Sequence, residues 1–359
     1  MSCFVTFRAA KGGDLFQRLA LVMWVLWNAF LTNVVRPLRG FVGASLGGGK
    51  GSTTITLQNG TRVRYGSTPI AEGGFSFVFV AKNASTRERY ALKKILCQVD
   101  EQRELALAEM RSHREFSHPN LMPLLDCAFV GVSQGEAAFM LFPFMEGSLR
   151  NLIDQRVLGG GPPLGEVEAL VIFAGVCRGV KALHGHRPAW AHRHGHGTPV
   201  LMDFGSVAPA ERRVKGRTDA LAVQDEASQH CTMPFRAPEL FDVGSDAVLD
   251  QRTDVWSLGC LLYAMRFGYS PFECEFAGAG GSGRGGGGVG DVAGVRVVEC
   301  SFLRVIGTVV FPSSMGQGGF GCYSEGFRDL VIFTLQQDPS QRPFVEEVLQ
   351  RTVALSGVE

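Results

Sequence analysis

The chain has 359 residues, with 35 Lys and Arg against 34 Asp and Glu and a formal net charge of +1. That balance excludes a nucleic-acid binder working by bulk charge and an acidic disordered tail. With 45% hydrophobic and 10% aromatic residues the chain can bury a sizeable core, which excludes wholesale disorder and suggests one large or two medium domains.

Nine cysteines (Cys3, Cys97, Cys127, Cys177, Cys231, Cys260, Cys274, Cys300 and Cys322) lie far apart with no CxxC pair. Neither a disulfide framework nor a thiolate zinc site is indicated, and a reducing, cytoplasmic setting is expected. The charge is uneven. Residues 1 to 71 carry Asp14 against eight Lys and Arg, net +7, so the remainder is −6.

Residues 1–54 read as a basic, hydrophobic leader followed by a Gly-rich linker. Leu19 to Val35 (LALVMWVLWNAFLTNVV) is 17 residues long, at the lower limit for crossing a bilayer, with basic residues on both sides. A membrane anchor, a removable targeting segment and a helix docked on the domain (or an upstream extension wrongly taken as coding) are the three readings of this stretch. Gly43 to Gly51 (GASLGGGKG) is a flexible connector.

From Ile55 the runs ITL, TRVRY, FSFVFVA and ERYALKKIL predict a strand-rich half, and helical periodicity takes over near Ser148. Ala71 to Val80 reads AEGGFSFVFV, where Gly73 and Gly74 would let backbone amides approach phosphates. Lys93 follows on an apolar strand, where a buried ammonium is costly unless it serves an anion, and Glu109 on the next helical stretch could hold it. Val167, Leu170, Val171, Ala174 and Cys177 show the spacing of a core-facing helix, and TDVWSLGCLLYAMRFG predicts a buried one. Residues 277–290, with nine glycines in fourteen positions, read as a surface insertion within a domain.

The order HPN (118–120), HR (192–193), DFG (203–205), APE (237–239), DVWSLG (254–259) and Arg342 in DPSQRPF, following the glycine-rich turn and Lys93, resembles the eukaryotic protein kinase domain. Within it, EGGFS, PVLMDFGS, RAPELFDV and TDVWSLGCLLYAM resemble the Numb-associated kinase family. The resemblance implies an α+β, two-lobed protein kinase fold over residues 55–355, with an N-lobe at 55–145 and a C-lobe at 146–355. It implies a serine/threonine protein kinase that transfers the γ-phosphoryl group of ATP to protein Ser or Thr.

The resemblance also assigns roles. Ala71, Gly73 and Gly74 would cover the phosphates, Lys93 would contact them while paired with Glu109, and Asp203 would hold Mg²⁺. Val78 and Ala91 would sandwich adenine, and Phe142 to Phe144 would form the hinge that reads it. Glu239 would pair with Arg342, Asp254 would brace the catalytic loop, and Thr232 would line the substrate site with Ser228 and Thr218 as candidate phosphosites.

The departure lies at the catalytic loop. Where the family reads HRDxKxxN and then a β-hairpin, this chain reads HRHGHGTPVLMDFG, about nine residues shorter. Arg193 is kept, but His194 stands at the general-base Asp position. The second Mg²⁺-binding Asn, the Lys partner of Thr232 and a hairpin strand below the adenine pocket are missing. A splicing or gene-model error would leave the other motifs intact in this way; a pseudokinase scaffold, with or without nucleotide binding, is the alternative. Ser2 stands where myristoylation needs glycine, so acylation could run only through Cys3. His184, His186, His192, His194 and His196 form a third reading, a His-rich metal-binding tract, although no acid or cysteine nearby completes a ligand set.

Overall fold

Arg62, Val63, Arg64 and Tyr65 alternate between solvent and core, and this period of two builds the first half of the protein. In the computed structural model the described residues are 4–7, 52–73, 75–133, 135–145, 147–158, 164–185, 199–202, 204, 211–276, 295–312 and 323–358. The leader segment at 19–35, the stretch holding Arg193 and His194, Gly74, Asp203 and the insertion at 277–290 lie outside them. The chain divides into two compact units, one made of Phe4–Asn151 with Pro188–Gly205 and the other of Leu152–Arg187 with Ser206–Glu359.

In the first unit, strand β1 (Phe4–Phe7) precedes β2 (Thr53–Thr56), β3 (Arg62–Tyr65), β4 (Ala71–Glu72), β5 (Ser76–Asn83) and β6 (Arg89–Cys97). Helix α1 (Asp100–Glu115) follows, then β7 (Asp126–Val132), β8 (Gly135–Pro143) and β9 (Gly147–Ser148). The strands predicted from ITL, TRVRY, FSFVFVA and ERYALKKIL are β2, β3, β5 and β6. Strands β2 to β8 form one antiparallel sheet in the order β2-β3-β5-β6-β8-β7, with β4 folded back on β5.

Its two faces separate cleanly. Val63, Tyr65, Phe79, Leu92, Phe139 and Leu141 fill one side. Cys97, Ala138, Met140 and Phe142 fill the other, together with Ala106 and Met110 of α1. Helix α1 starts where the Gln102 side chain accepts the backbone N–H groups of Gln98 and Val99, at 2.7 and 3.4 Å, and Asp100 and Glu101 face the positive end of its dipole.

A short helix, α2 (Leu149–Ile153), leads on to α3 (Glu166–His184). Strand β10 (Pro199–Met202) belongs to the first unit, in a separate three-stranded sheet with order β10-β1-β9. The second unit continues with β11 (Arg212–Arg213), α4 (Gly216–His230), β12 (Val248–Leu249), α5 (Arg252–Phe267), β13 (Cys274–Phe276), β14 (Val295–Val297), α6 (Phe302–Val305), α7 (Glu325–Thr334) and α8 (Val345–Ser356). Helix α5 is buried on nearly every side, as its apolar sequence predicts, from Asp254 to Phe267.

Helix α3 corrects one expectation. Leu170, Ala174 and Cys177 are buried, but Val167 is 53% exposed and Val171 40%. The bulk of Ile172, Phe173 and Val176, with Ala169, draws the buried arc toward those positions, so one edge of the predicted stripe turns to solvent. Tyr263, Phe267, Phe311, Tyr323 and Phe327 stack into an aromatic cluster with neighbouring centroids between 4.5 and 6.4 Å. The described cysteines carry no disulfide.

Candidate functional site

Antiparallel register decides which side chains meet on the inner face of the first unit. Val78 of β5 pairs with Lys93 of β6, which pairs with Met140 of β8. One step along, Val80, Ala91 and Phe142 form the next row. Opposite residues share a face, so Lys93 projects on the side that α1 covers.

There its ammonium meets Glu109, with Nζ to Oε1 at 2.6 Å and the two side chains 17% and 6% exposed. A charge-assisted bond at this burial holds the ammonium in one place, the arrangement needed for a cation that must receive an anion. Alternation along β6 sends Lys94 the other way, over the ring of Phe139, and desolvation lowers its pKa below the usual lysine value. Two adjacent lysines therefore meet different surroundings because the strand's period is two.

Next to the Val78–Lys93 row, β4 folds back on β5 in the β4–β5 hairpin. Ala71 pairs with Val78, Ile70 N–H donates to the Val78 carbonyl at 2.7 Å, and Gly73 N–H donates to the Ser76 carbonyl at 2.6 Å. Phe75 is 56% exposed at the tip, while its carbonyl accepts the Leu96 N–H at 2.9 Å. At the end of β8 the Phe142 side chain is buried, 4.8 Å from the His113 ring. Phe144 instead lies beneath the Arg89 guanidinium, 3.9 Å from its ring centre. Of the residues read as hinge, Phe142 thus contributes its side chain to the core.

His113 was not legible as a site residue, yet it is the hub beneath the pair. It sits one helical turn from Glu109, with Nε2 to Oε1 at 3.9 Å, and Nδ1 lies 3.0 Å from the Met122 carbonyl. Its ring stacks on Phe204 at 4.3 Å. The residue following Asp203 is therefore fixed to the helix that carries Glu109. Asn120 of the HPN string donates through Nδ2 to the Pro199 carbonyl at 2.7 Å and accepts the Leu201 N–H at 2.7 Å, tying this turn to β10. The only sequence signal for His113 is its spacing of four from Glu109.

In the second unit Arg342 is fully enclosed. Its guanidinium donates to both carboxylate oxygens of Glu239, at 2.8 and 3.1 Å, and to the carbonyls of Arg252 and Gln336. Asp254 accepts from or pairs with His184 Nε2 at 2.8 Å, and buried His184 Nδ1 has no hydrogen-bond partner among the described residues. Thr232 is exposed just before the Met233–Phe235 turn, and Ser228 and Thr218 are exposed on α4. No group of three metal-ligating side chains occurs among the described residues. His184 is committed to Asp254, and the other four histidines of the tract lie outside the described residues. No helix among the described residues is long and apolar enough to cross a membrane.

A protein kinase domain model matches residues 67–353. Serine/threonine-protein kinase 16 of Rattus norvegicus is 37% identical over 296 residues, covering 80% of this chain and 88% of the relative. The Homo sapiens protein of the same name is 37% identical over the same shares. Serine/threonine-protein kinase ppk13 of Schizosaccharomyces pombe is 30% identical over 325 residues, 79% of this chain and 87% of the relative.

Proposed function

The chain belongs to the protein kinase domain family, and on that premise we propose that it is a serine/threonine protein kinase with an assembled nucleotide site and a weakened transfer step. The observation that carries the nucleotide half is the 2.6 Å Lys93–Glu109 pair on the inner sheet face. Its donor chemistry fits ATP: an anchored ammonium for the α and β phosphates, with Ala71, Gly73 and Gly74 read as the segment that would cover the rest. Val78 and Ala91 would take the two faces of adenine. Asp203, which precedes Phe204 in the DFG string, would hold Mg²⁺, which supplies charge neutralisation on the phosphates when bound.

The weakened half follows from HRHGHG at 192–197. With His194 at the general-base position no carboxylate accepts the substrate hydroxyl proton, which slows transfer by roughly 10²–10⁴-fold. The missing Asn removes a second Mg²⁺ ligand and lowers the rate further. A nucleotide-binding pseudokinase scaffold is the second reading, favoured by the same string. Membrane association through residues 19–35 rests on their composition and flanking charge, and fractionation with and without residues 1–40 tests it.

The test of the main reading is thermal melting with millimolar Mg-ATP, followed by phosphoryl transfer to a generic Ser/Thr protein substrate. Melting should rise with nucleotide in the wild type and not in Lys93→Ala. Measurable slow transfer that Lys93→Ala abolishes supports the kinase; a nucleotide shift without transfer supports the scaffold. No shift at all removes both nucleotide readings.

A further inference from the structure

Strand β10 is paired along both of its edges. On one, Leu201 N–H donates to the Asn120 carbonyl and Met122 N–H donates to the Leu201 carbonyl, both at 2.7 Å. Because backbone groups alternate sides along a strand, Val200 and Met202 point to the other edge. That edge is taken by β1, in the register Phe4 with Met202 and Thr6 with Val200. The far side of β1 is taken in turn by β9, with Thr6 opposite Ser148 and Phe7 opposite Gly147.

A segment from the start of the chain is therefore the central strand between two short strands whose own sequence positions are about fifty residues apart. Either neighbour without it would present unpaired N–H and C=O groups, an unfavourable state for backbone at the edge of a core. Hairpins ordinarily pair a strand with the residues just before it. Here those residues are the HRHGHGT stretch, about nine residues shorter than the family's sequence pattern.

We propose that Phe4–Phe7 is a complementing strand, seated in a slot between Gly147–Ser148 and Pro199–Met202 that accepts one extended peptide by main-chain pairing. FVTF suits the slot because β-branched and aromatic residues favour extended backbone. The slot is a β-augmentation site filled in cis, and when vacated it takes the same sequence in trans. The inference stands apart from nucleotide binding, since it uses no residue assigned to ATP.

The test uses the full chain with Thr6→Pro, which removes the N–H facing Val200, and Thr6→Val as the control that keeps it. Thr6→Pro should melt roughly 5 °C lower. It should also bind a labelled synthetic peptide of residues 1–10 saturably, at least about tenfold tighter than the filled wild type does, and recover its melting temperature when the peptide is added. Thr6→Val should behave as wild type, and a scrambled peptide should not bind. Wild-type melting by Thr6→Pro, with no gain in peptide binding, overturns the proposal.

If Thr6→Pro does not fold, hydrogen exchange on the wild type decides. Protection of the Phe4, Thr6, Val200 and Met202 amides at similar rates supports the pairing. Exchange of Phe4 and Thr6 at free-peptide rates overturns it. Protection confined to a dimeric fraction places the strand in a second copy and overturns the cis assignment.

Discussion

Asp250 is pulled in two directions. Burial raises its pKa, but Arg252 donates to its carboxylate through Nε and Nη2 at 2.7–3.1 Å and through its backbone N–H at 2.8 Å, so the group ends below its usual value. A depressed carboxylate stabilises the fold above its unfolded pKa and loses that contribution as pH falls through the folded one. Stability should therefore drop below about pH 4, and Asp250→Asn should flatten that limb of a pH–melting curve while losing roughly 1 kcal/mol at pH 7. At this same scale Lys93 and Glu109 were legible, because an ammonium on an apolar strand demands a partner. His113 was not, since its value comes from the Met122 carbonyl and the Phe204 ring, partners that only the fold brings near.

Among the elements, α5 shows how a motif glycine is a packing requirement. A Cβ on Gly259 would press into Thr334 Oγ1 and lie 2.8 Å from Leu335 Cδ2 and Cγ on the end of α7. Thr334 cannot yield freely, because its hydroxyl donates to the Leu330 and Val331 carbonyls at 3.3 and 2.8 Å in a fully buried site. Gly259→Ala should destabilise by about 1–3 kcal/mol in denaturant unfolding, even though alanine is intrinsically the better helix former by about 1 kcal/mol. The strands of the main sheet were legible from their period of two, and α5 from its unbroken apolar run. The exposed edge of α3 was not, because Val167 and Val171 carry the same apolar signal as their buried neighbours. Strand β1 was invisible for a different reason: four residues have no period to read, and their partners lie at least 140 positions away.

Across the whole molecule, the long-range pairs Lys93–Glu109 and Glu239–Arg342 join motifs that were read in order along the chain, and their geometry is what that order implied. Residues 277–290 lie between strands β13 and β14. Strands β13 and β14 pair in the register Cys274 with Val297, Glu275 with Arg296 and Phe276 with Val295. The chain thus leaves at Phe276 and returns directly opposite, roughly 5 Å away across an antiparallel pair. Loop-closure entropy for a flexible connection changes by only about 0.6 kcal/mol for each doubling of length. Excising residues 277–290 shortens the connection from 18 residues to four, enough for a hairpin turn, and should move folding stability by only about 1.3 kcal/mol in denaturant titration. By the same arithmetic, Phe276 and Val295 form a docking port for foreign sequence. A reporter domain whose own termini lie close together could be spliced between them and report on the kinase fold from inside its chain.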